Sequence, residues 1–64
     1  MPNVEISGPI IKDLEVKRVL VKEVTDAIEK AYKLPRQAYV VVIKENSPEN
    51  VAVGGELIVD RQKA

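Results

Sequence analysis

Apolar and polar residues alternate near the start of the chain. Val4 and Ile6 occupy every second position, with polar residues on either side of each. A period of two is typical of a strand with one buried face, so we predict a strand over residues 2–7 that Gly8-Pro9 ends. Pro2 cannot donate a ladder hydrogen bond, which is tolerated at the first residue of an edge strand.

The spacing of the apolar residues changes after Asp13. From Leu14 to Tyr32 they recur every three or four positions, which predicts an amphipathic helix of about five turns. Asp13 is a good N-cap for this helix, and Pro35 marks its end because proline cannot continue a helix. The residues that form the apolar face are Val16, Leu20, Val24, Ala27, Ile28 and Ala31.

A second apolar segment, Tyr39–Ile43, is rich in β-branched residues and shows no alternation. Such a run predicts a strand that is covered on both faces. The stretch of about 30 residues between the two strands contains a helix, so the strands should be parallel neighbours joined by a right-handed crossover. The chain therefore begins with a β-α-β unit.

The C-terminal part predicts a β-hairpin. The apolar segments Val51–Val53 and Leu57–Val59 flank Gly54-Gly55, and paired glycines supply the positive φ angles that tight hairpin turns require. We expect this hairpin to pack on a neighbouring subunit and residues 62–64 to form a frayed end. The predicted fold is α+β, a single domain over residues 1–64 with parallel strands and a C-terminal hairpin.

Composition favours an assembly of subunits. A chain of 64 residues buries only about 60% of the surface that its unfolded form exposes. It contains no cysteine and no histidine, so disulfides and the common zinc sites cannot supply the missing stability. Because 45% of the residues are nevertheless hydrophobic, we expect apolar surface to be buried between copies in a homo-oligomer.

The charge pattern limits the partners. Ten basic and ten acidic residues balance and are interspersed along the chain, which argues against a nucleic-acid partner. No apolar run approaches the roughly 20 residues of a membrane span, and none has the form of a signal peptide. We therefore expect no membrane association and a cytoplasmic location.

The order of the elements and three short motifs resemble the 4-oxalocrotonate tautomerase family. Pro2 follows the initiator methionine and opens the first strand, Leu34-Pro35 closes the helix, and Val53–Leu57 matches the hairpin signature. The resemblance covers essentially the whole chain without gaps. It implies a tautomerase-like fold, no cofactor or metal, and a homohexamer of three dimers, each with a four-stranded sheet.

The resemblance also implies a chemical role for Pro2. Methionine is commonly excised when a small residue follows it, and removal of Met1 would leave a secondary amine at the N-terminus. Family members use this nitrogen as a general base that moves a proton within a small enol or unsaturated keto acid. An apolar pocket with cations nearby lowers the pKa of such an amine towards neutrality, where a general base typically accelerates a reaction by about 10²- to 10⁴-fold.

Three further positions correspond to substrate-binding residues of the family. Lys12 stands where the family has an arginine that holds a substrate carboxylate, and lysine keeps the charge but loses the two-pronged donor. Val40 replaces a second arginine, which polarises the substrate carbonyl in a neighbouring subunit's site. Val51 replaces an aromatic residue that keeps the surroundings of the proline apolar, and Ala38 replaces a serine. The resemblance thus implies a small carboxylate substrate, but one other than a muconate-type dicarboxylate.

The same residues allow a simpler interpretation. Lys12 can be a solvated residue beside a helix start, Val40 and Val51 can be core residues, and Gly54-Gly55 can serve turn geometry alone. Two functions follow from these interpretations. One is an isomerase of the 4-oxalocrotonate tautomerase type with Pro2 as its base, and the other is a non-catalytic homo-oligomeric module that kept the fold and lost the activity.

The missing arginine at Val40 favours the non-catalytic module unless another cation replaces it. Arg36 and Arg61 are the residues that could reach the site from a loop or from the C-terminal segment. The neighbouring Tyr39 cannot substitute for Val40, because adjacent strand residues face opposite sides of a sheet.

Overall fold

The computed structural model describes residues 2–61. The excision of Met1 and the predicted frayed end at 62–64 fall outside these residues. The elements are β1 (Asn3–Gly8), α1 (Leu14–Tyr32), β2 (Val40–Glu45), β3 (Ala52–Val53), β4 (Glu56–Leu57) and α2 (Ile58–Arg61), with single 3₁₀ turns at Arg36–Ala38 and Pro48–Asn50. The predicted α+β architecture is confirmed.

The two long strands form a parallel pair, as predicted. The register runs from Asn3 opposite Val40 to Gly8 opposite Glu45. A backbone hydrogen bond extends the ladder by one residue at the amino end, where the Val40 N–H donates to the Pro2 carbonyl at 3.1 Å. Both ends of the pair are therefore fixed, and Pro2 has a defined position beside β2.

Helix α1 begins and ends where the sequence pattern predicts. The Asp13 carboxylate accepts a hydrogen bond from the Glu15 N–H at 2.9 Å, which is the usual N-cap arrangement. At the other end Lys33 adopts a left-handed conformation with φ of 57°, and its N–H donates to the Glu29 carbonyl. Within residues 2–61, no helix is long and apolar enough to cross a membrane.

The apolar surface of α1 is wider than one buried face. Leu20, Val24 and Ile28 are half-buried, as the periodicity predicts. Val16, Ala27 and Ala31 were expected on this face but are exposed. Val16 is 51% exposed and lies beside Val19, which is 52% exposed, on a second apolar strip. This strip lines a shallow groove of about 430 Å³, whose lining residues are Glu15, Val16, Val19, Leu20 and Glu23.

The sheet also has an uncovered face. Val41 and Ile43 are half-buried, whereas Val40 and Val42 on the opposite side are 39% and 41% exposed. The prediction that β2 is covered on both faces is therefore not met within one chain. None of residues 2–61 is fully buried, and the radius of gyration is 15.3 Å, against about 11 Å for a compact chain of this length. One copy alone lacks a closed core.

The hairpin is shorter than predicted. Strands β3 and β4 contain two residues each and pair Ala52 with Leu57, and the turn uses Gly54 and Gly55 at φ of 60° and 83°. Ile58 and Val59 were predicted in the second strand but begin α2. In a strand these two side chains would point to opposite sides, whereas the helical turn allows both to be half-buried.

Candidate functional site

Pro2 lies at the amino end of the parallel strands. It precedes the first residue of β1, is half-buried, and accepts the Val40 N–H at its carbonyl oxygen. The ring restricts φ, and the hydrogen bond fixes the following peptide group. A base at this position would therefore be held by the sheet itself.

Val40 is the nearest strand neighbour of Pro2 and contributes no charge. Its side chain lies on the uncovered face of the sheet together with Val42, two residues further along β2. The structure thus brings the backbones of Pro2 and Val40 together, while the Val40 side chain shares its face of the sheet with Asn3, its register partner. The cation that the family carries at this position has no counterpart in the Val40 side chain.

Arg36 lies in the 3₁₀ turn just before β2, at the same end of the molecule as Pro2, but its side chain is engaged elsewhere. Its Nη1 atom donates to Asp26 at 2.7 Å and to Glu29 at 2.9 Å, both on α1. Hydrogen bonds to these carboxylates raise the pKa of Arg36, and the bond from Arg36 lowers the pKa of Asp26. Arg36 is therefore held against the helix.

Arg61 and Tyr39 are likewise engaged by groups away from Val40. Arg61 lies beside Glu56, with 3.7 Å between Nε and Oε1. The Tyr39 hydroxyl donates to the Leu34 carbonyl at 3.1 Å and accepts from the Leu34 N–H at 2.8 Å, which ties it to the end of the helix. Neither side chain takes the place of the family's arginine within one copy.

Lys12 lies at the opposite end of the strands from Pro2. It belongs to the loop between β1 and α1, and its neighbour Ile11 donates its N–H to Glu45, which is opposite Gly8 at the carboxyl end of the sheet. Lys12 is exposed, and no carboxylate of residues 2–61 lies within ion-pair distance of it. Its ammonium group is available to an anionic ligand.

Val51 also lies at this carboxyl end, where it lines a cavity of about 230 Å³. The cavity is lined by Ser7, Gly8, Pro9, Asn46, Pro48, Val51 and Ile58. Pro9, Val51 and Ile58 provide apolar surface. The polar edge is formed by Asn46, whose Nδ2 donates to the Ser7 hydroxyl oxygen at 2.9 Å.

The four predicted site residues therefore form two groups. Pro2 and Val40 lie at the amino end of the strand pair, and Lys12 and Val51 lie at the carboxyl end. Gly8 follows Pro2 by six positions of extended chain, a span of about 20 Å. A small substrate cannot contact both groups in one copy, so a site that uses all four residues has to combine two copies.

Sequence reasoning missed Glu45, which organises the carboxyl end. One of its carboxylate oxygens accepts the Ile11 N–H at 2.7 Å and the other accepts Lys17 Nζ at 2.9 Å. The bond from Lys17, and then that from Ile11, lowers the pKa of Glu45. The available signal was an acidic residue two positions after the apolar run Tyr39–Ile43, but its partners are 28 and 34 residues away in the chain.

Two of three comparisons with known proteins found matches. A family model described as tautomerase enzyme matches residues 2–61. The crystal structure of YwhB, a homologue of 4-oxalocrotonate tautomerase, is 30% identical, with 92% of this chain and 97% of that chain covered and a TM-score of 0.83.

Two bacterial structures are similar as well. SAR1376 from methicillin-resistant Staphylococcus aureus is 39% identical over 92% of this chain and 95% of its own, with a TM-score of 0.78. DmpI from Helicobacter pylori is 26% identical over 92% and 98% of the two chains, with a TM-score of 0.77. Comparison with curated protein sequences found no significant match.

Proposed function

We propose that the chain, which belongs to the 4-oxalocrotonate tautomerase family of the tautomerase superfamily, is an isomerase. Its proposed substrates are small enol or unsaturated keto acids. The Pro2 nitrogen, freed by removal of Met1, is the general base. Lys12 binds the substrate carboxylate, and Val51 keeps the surroundings of the base apolar. The observation that carries this proposal is the fixed position of Pro2, whose carbonyl is bonded to the Val40 N–H at 3.1 Å.

The proposed reaction is a proton transfer from oxygen to carbon. The Pro2 nitrogen accepts the hydroxyl proton of the enol and becomes an ammonium group. The oxygen forms the carbonyl, the double-bond electrons move to the adjacent carbon, and this carbon takes the proton back from the ammonium group. The nitrogen is regenerated, so no other reactant is consumed.

The assembly is part of the proposal, because the two groups of site residues are about 20 Å apart in one copy. We propose a homohexamer of three dimers, each with a four-stranded sheet, in which Pro2 of one copy meets Lys12 and Val51 of another. The exposed apolar strips at Val16 and Val42 support burial between copies. A cytoplasmic location remains an expectation from composition alone.

A second function has its own support. Val40 provides no cation for the charge that develops on the substrate oxygen, and Arg36 is bonded to two carboxylates of α1. Donors at such an oxygen are often worth several kcal/mol, about 3–4 in measured cases. A non-catalytic homo-oligomeric module is therefore the alternative to a slow tautomerase.

Mixing two inactive variants tests the enzyme and the shared site together. Pro2→Ala removes the secondary amine of the base, and Lys12→Met removes the ammonium group of the carboxylate anchor while keeping an unbranched apolar stem. When equal amounts are unfolded together and refolded, random assembly places an intact base beside an intact anchor in about a quarter of the sites. We expect about a quarter of wild-type turnover of phenylenolpyruvate, measured below KM.

Each variant refolded alone is the control for this experiment. Activity of the mixture equal to the mean of the two controls would show that the base and the anchor act within one copy. A wild-type chain lacking Met1 that shows no turnover would favour the non-catalytic module instead.

A further inference from the structure

Glu45 joins three elements at the carboxyl end of the sheet. It is the last residue of β2, and its two carboxylate oxygens bind the Ile11 N–H in the loop after β1 and the Lys17 ammonium group on α1. The side chains of Lys17 and Glu45 are only 28% and 25% exposed, less than in any other ion pair within residues 2–61. The pair is therefore partly shielded from water. Charge-assisted hydrogen bonds are stronger at such a position than at a fully exposed one, because they are screened less.

The loop that Glu45 holds is the one that carries Lys12. On one side of Lys12, Ile11 is bonded to Glu45. On the other side, Asp13 is fixed as the N-cap of α1 through its bond with Glu15. Lys12 itself has no ion-pair partner in the part of the chain that the structure describes, so these two neighbours fix the backbone point from which its side chain extends.

We propose that Glu45 is a positioning residue that fixes the backbone at Ile11 and thereby directs the Lys12 ammonium group towards a bound carboxylate. This inference rests on the proposed role of Lys12 as the carboxylate anchor. It assigns to Glu45 an effect on the binding of anionic ligands that is exerted through Lys12 alone. Glu45 itself does not contact the ligand.

A double-mutant cycle tests the coupling between Glu45 and Lys12. The probe is 3-phenylpropanoate, a carboxylate that cannot tautomerise, and its Kd is measured by NMR titration of the assembled protein. We expect Glu45→Ala to raise the Kd about tenfold, because a displaced Lys12 ammonium group loses its hydrogen bond to the carboxylate, and loss of a bond to a charged group costs about tenfold or more. In the Lys12→Met background the same substitution should have no further effect.

Two other variants separate positioning from loss of structure. Glu45→Gln keeps an oxygen that can accept the Ile11 N–H and should retain most of the affinity, even if Glu45→Ala folds poorly. Glu5→Ala removes the same charge from an exposed pair with Lys44 on the sheet and should leave the Kd unchanged. With phenylenolpyruvate, Glu45→Ala should raise KM more than it lowers kcat.

The outcomes distinguish this inference from the proposed function. An equal loss of affinity from Glu45→Ala in the wild-type and Lys12→Met backgrounds would overturn the positioning role, as would an unchanged Kd or a wild-type protein that does not bind the probe. A wild-type protein that binds 3-phenylpropanoate but does not turn over phenylenolpyruvate would contradict the enzyme, while the cycle would still decide the role of Glu45.

Discussion

Replacing Pro2 with alanine in the processed chain is expected to lower kcat/KM for phenylenolpyruvate by about 10²- to 10⁴-fold, the usual contribution of a general base. Alanine permits the same removal of Met1 but leaves a primary amine on a residue whose φ is not restricted by a ring. The backbone bond between the residue 2 carbonyl and the Val40 N–H does not depend on the side chain. The fold and the assembly should therefore survive, and the loss should appear in turnover.

Pro35→Ala is the matched control for this prediction. Pro35 lies between α1 and the following 3₁₀ turn. It lines neither the cavity at the carboxyl end of the strands nor the shallow groove on α1. Its replacement should leave turnover within about twofold of wild type. Sedimentation of both variants would verify that assembly is retained. Equal rates for Pro2→Ala and the wild type would leave Pro2 without a role as the base.

Val40→Arg is expected to increase kcat for phenylenolpyruvate by about tenfold. The developing negative charge on the substrate oxygen has no partner from Val40, and removal of one such donor from an enzyme commonly costs about 10²- to 10³-fold. A grafted side chain recovers only part of this effect, because its surroundings do not position it. Val40 is 39% exposed on the uncovered face of the sheet, so the longer side chain can extend from this face towards the site of a neighbouring copy.

Val42→Arg controls for the added charge. Val42 lies on the same face of β2, is 41% exposed, and is about 7 Å further from Pro2 along the strand. It should give no increase in kcat, and sedimentation of both arginine variants should show an intact assembly, because Val40 and Val42 lie on a face that we propose is buried between copies. The Val40→Arg increase should disappear in combination with Pro2→Ala. An equal gain from both arginines would point to general attraction of an anionic substrate, and no gain from Val40→Arg would contradict the idea that a cation is missing there.

The sequence predicts the helix and the strand pairing well because their signals are local. The Asp13 cap and the Pro35 stop define α1, and the β-branched run defines β2. The second hairpin strand was predicted wrongly because Ile58 and Val59 have strand propensity, yet both become half-buried in a helical turn. Propensity alone could not reveal that packing.

The site was predictable only in part. The position of Pro2 follows from its place at the start of the chain, but its separation from Lys12 follows from the topology of the parallel strands, which puts the two residues at opposite ends. Glu45 could not be predicted because it contacts Ile11 across 34 positions of sequence. The engagement of Arg36 by Asp26 and Glu29 likewise depends on which of ten acidic residues the fold brings near it.

The most direct test of the proposed chemistry is a ¹⁵N NMR titration of the Pro2 nitrogen in the assembled protein, isolated from cells that process its N-terminus. We expect a free secondary amine whose pKa is lowered towards neutrality by apolar surroundings and nearby cations, where a general base is most effective. A Pro2 nitrogen that remains acylated by Met1, or one that titrates at the alkaline value of an ordinary proline amine, would contradict its role as the base.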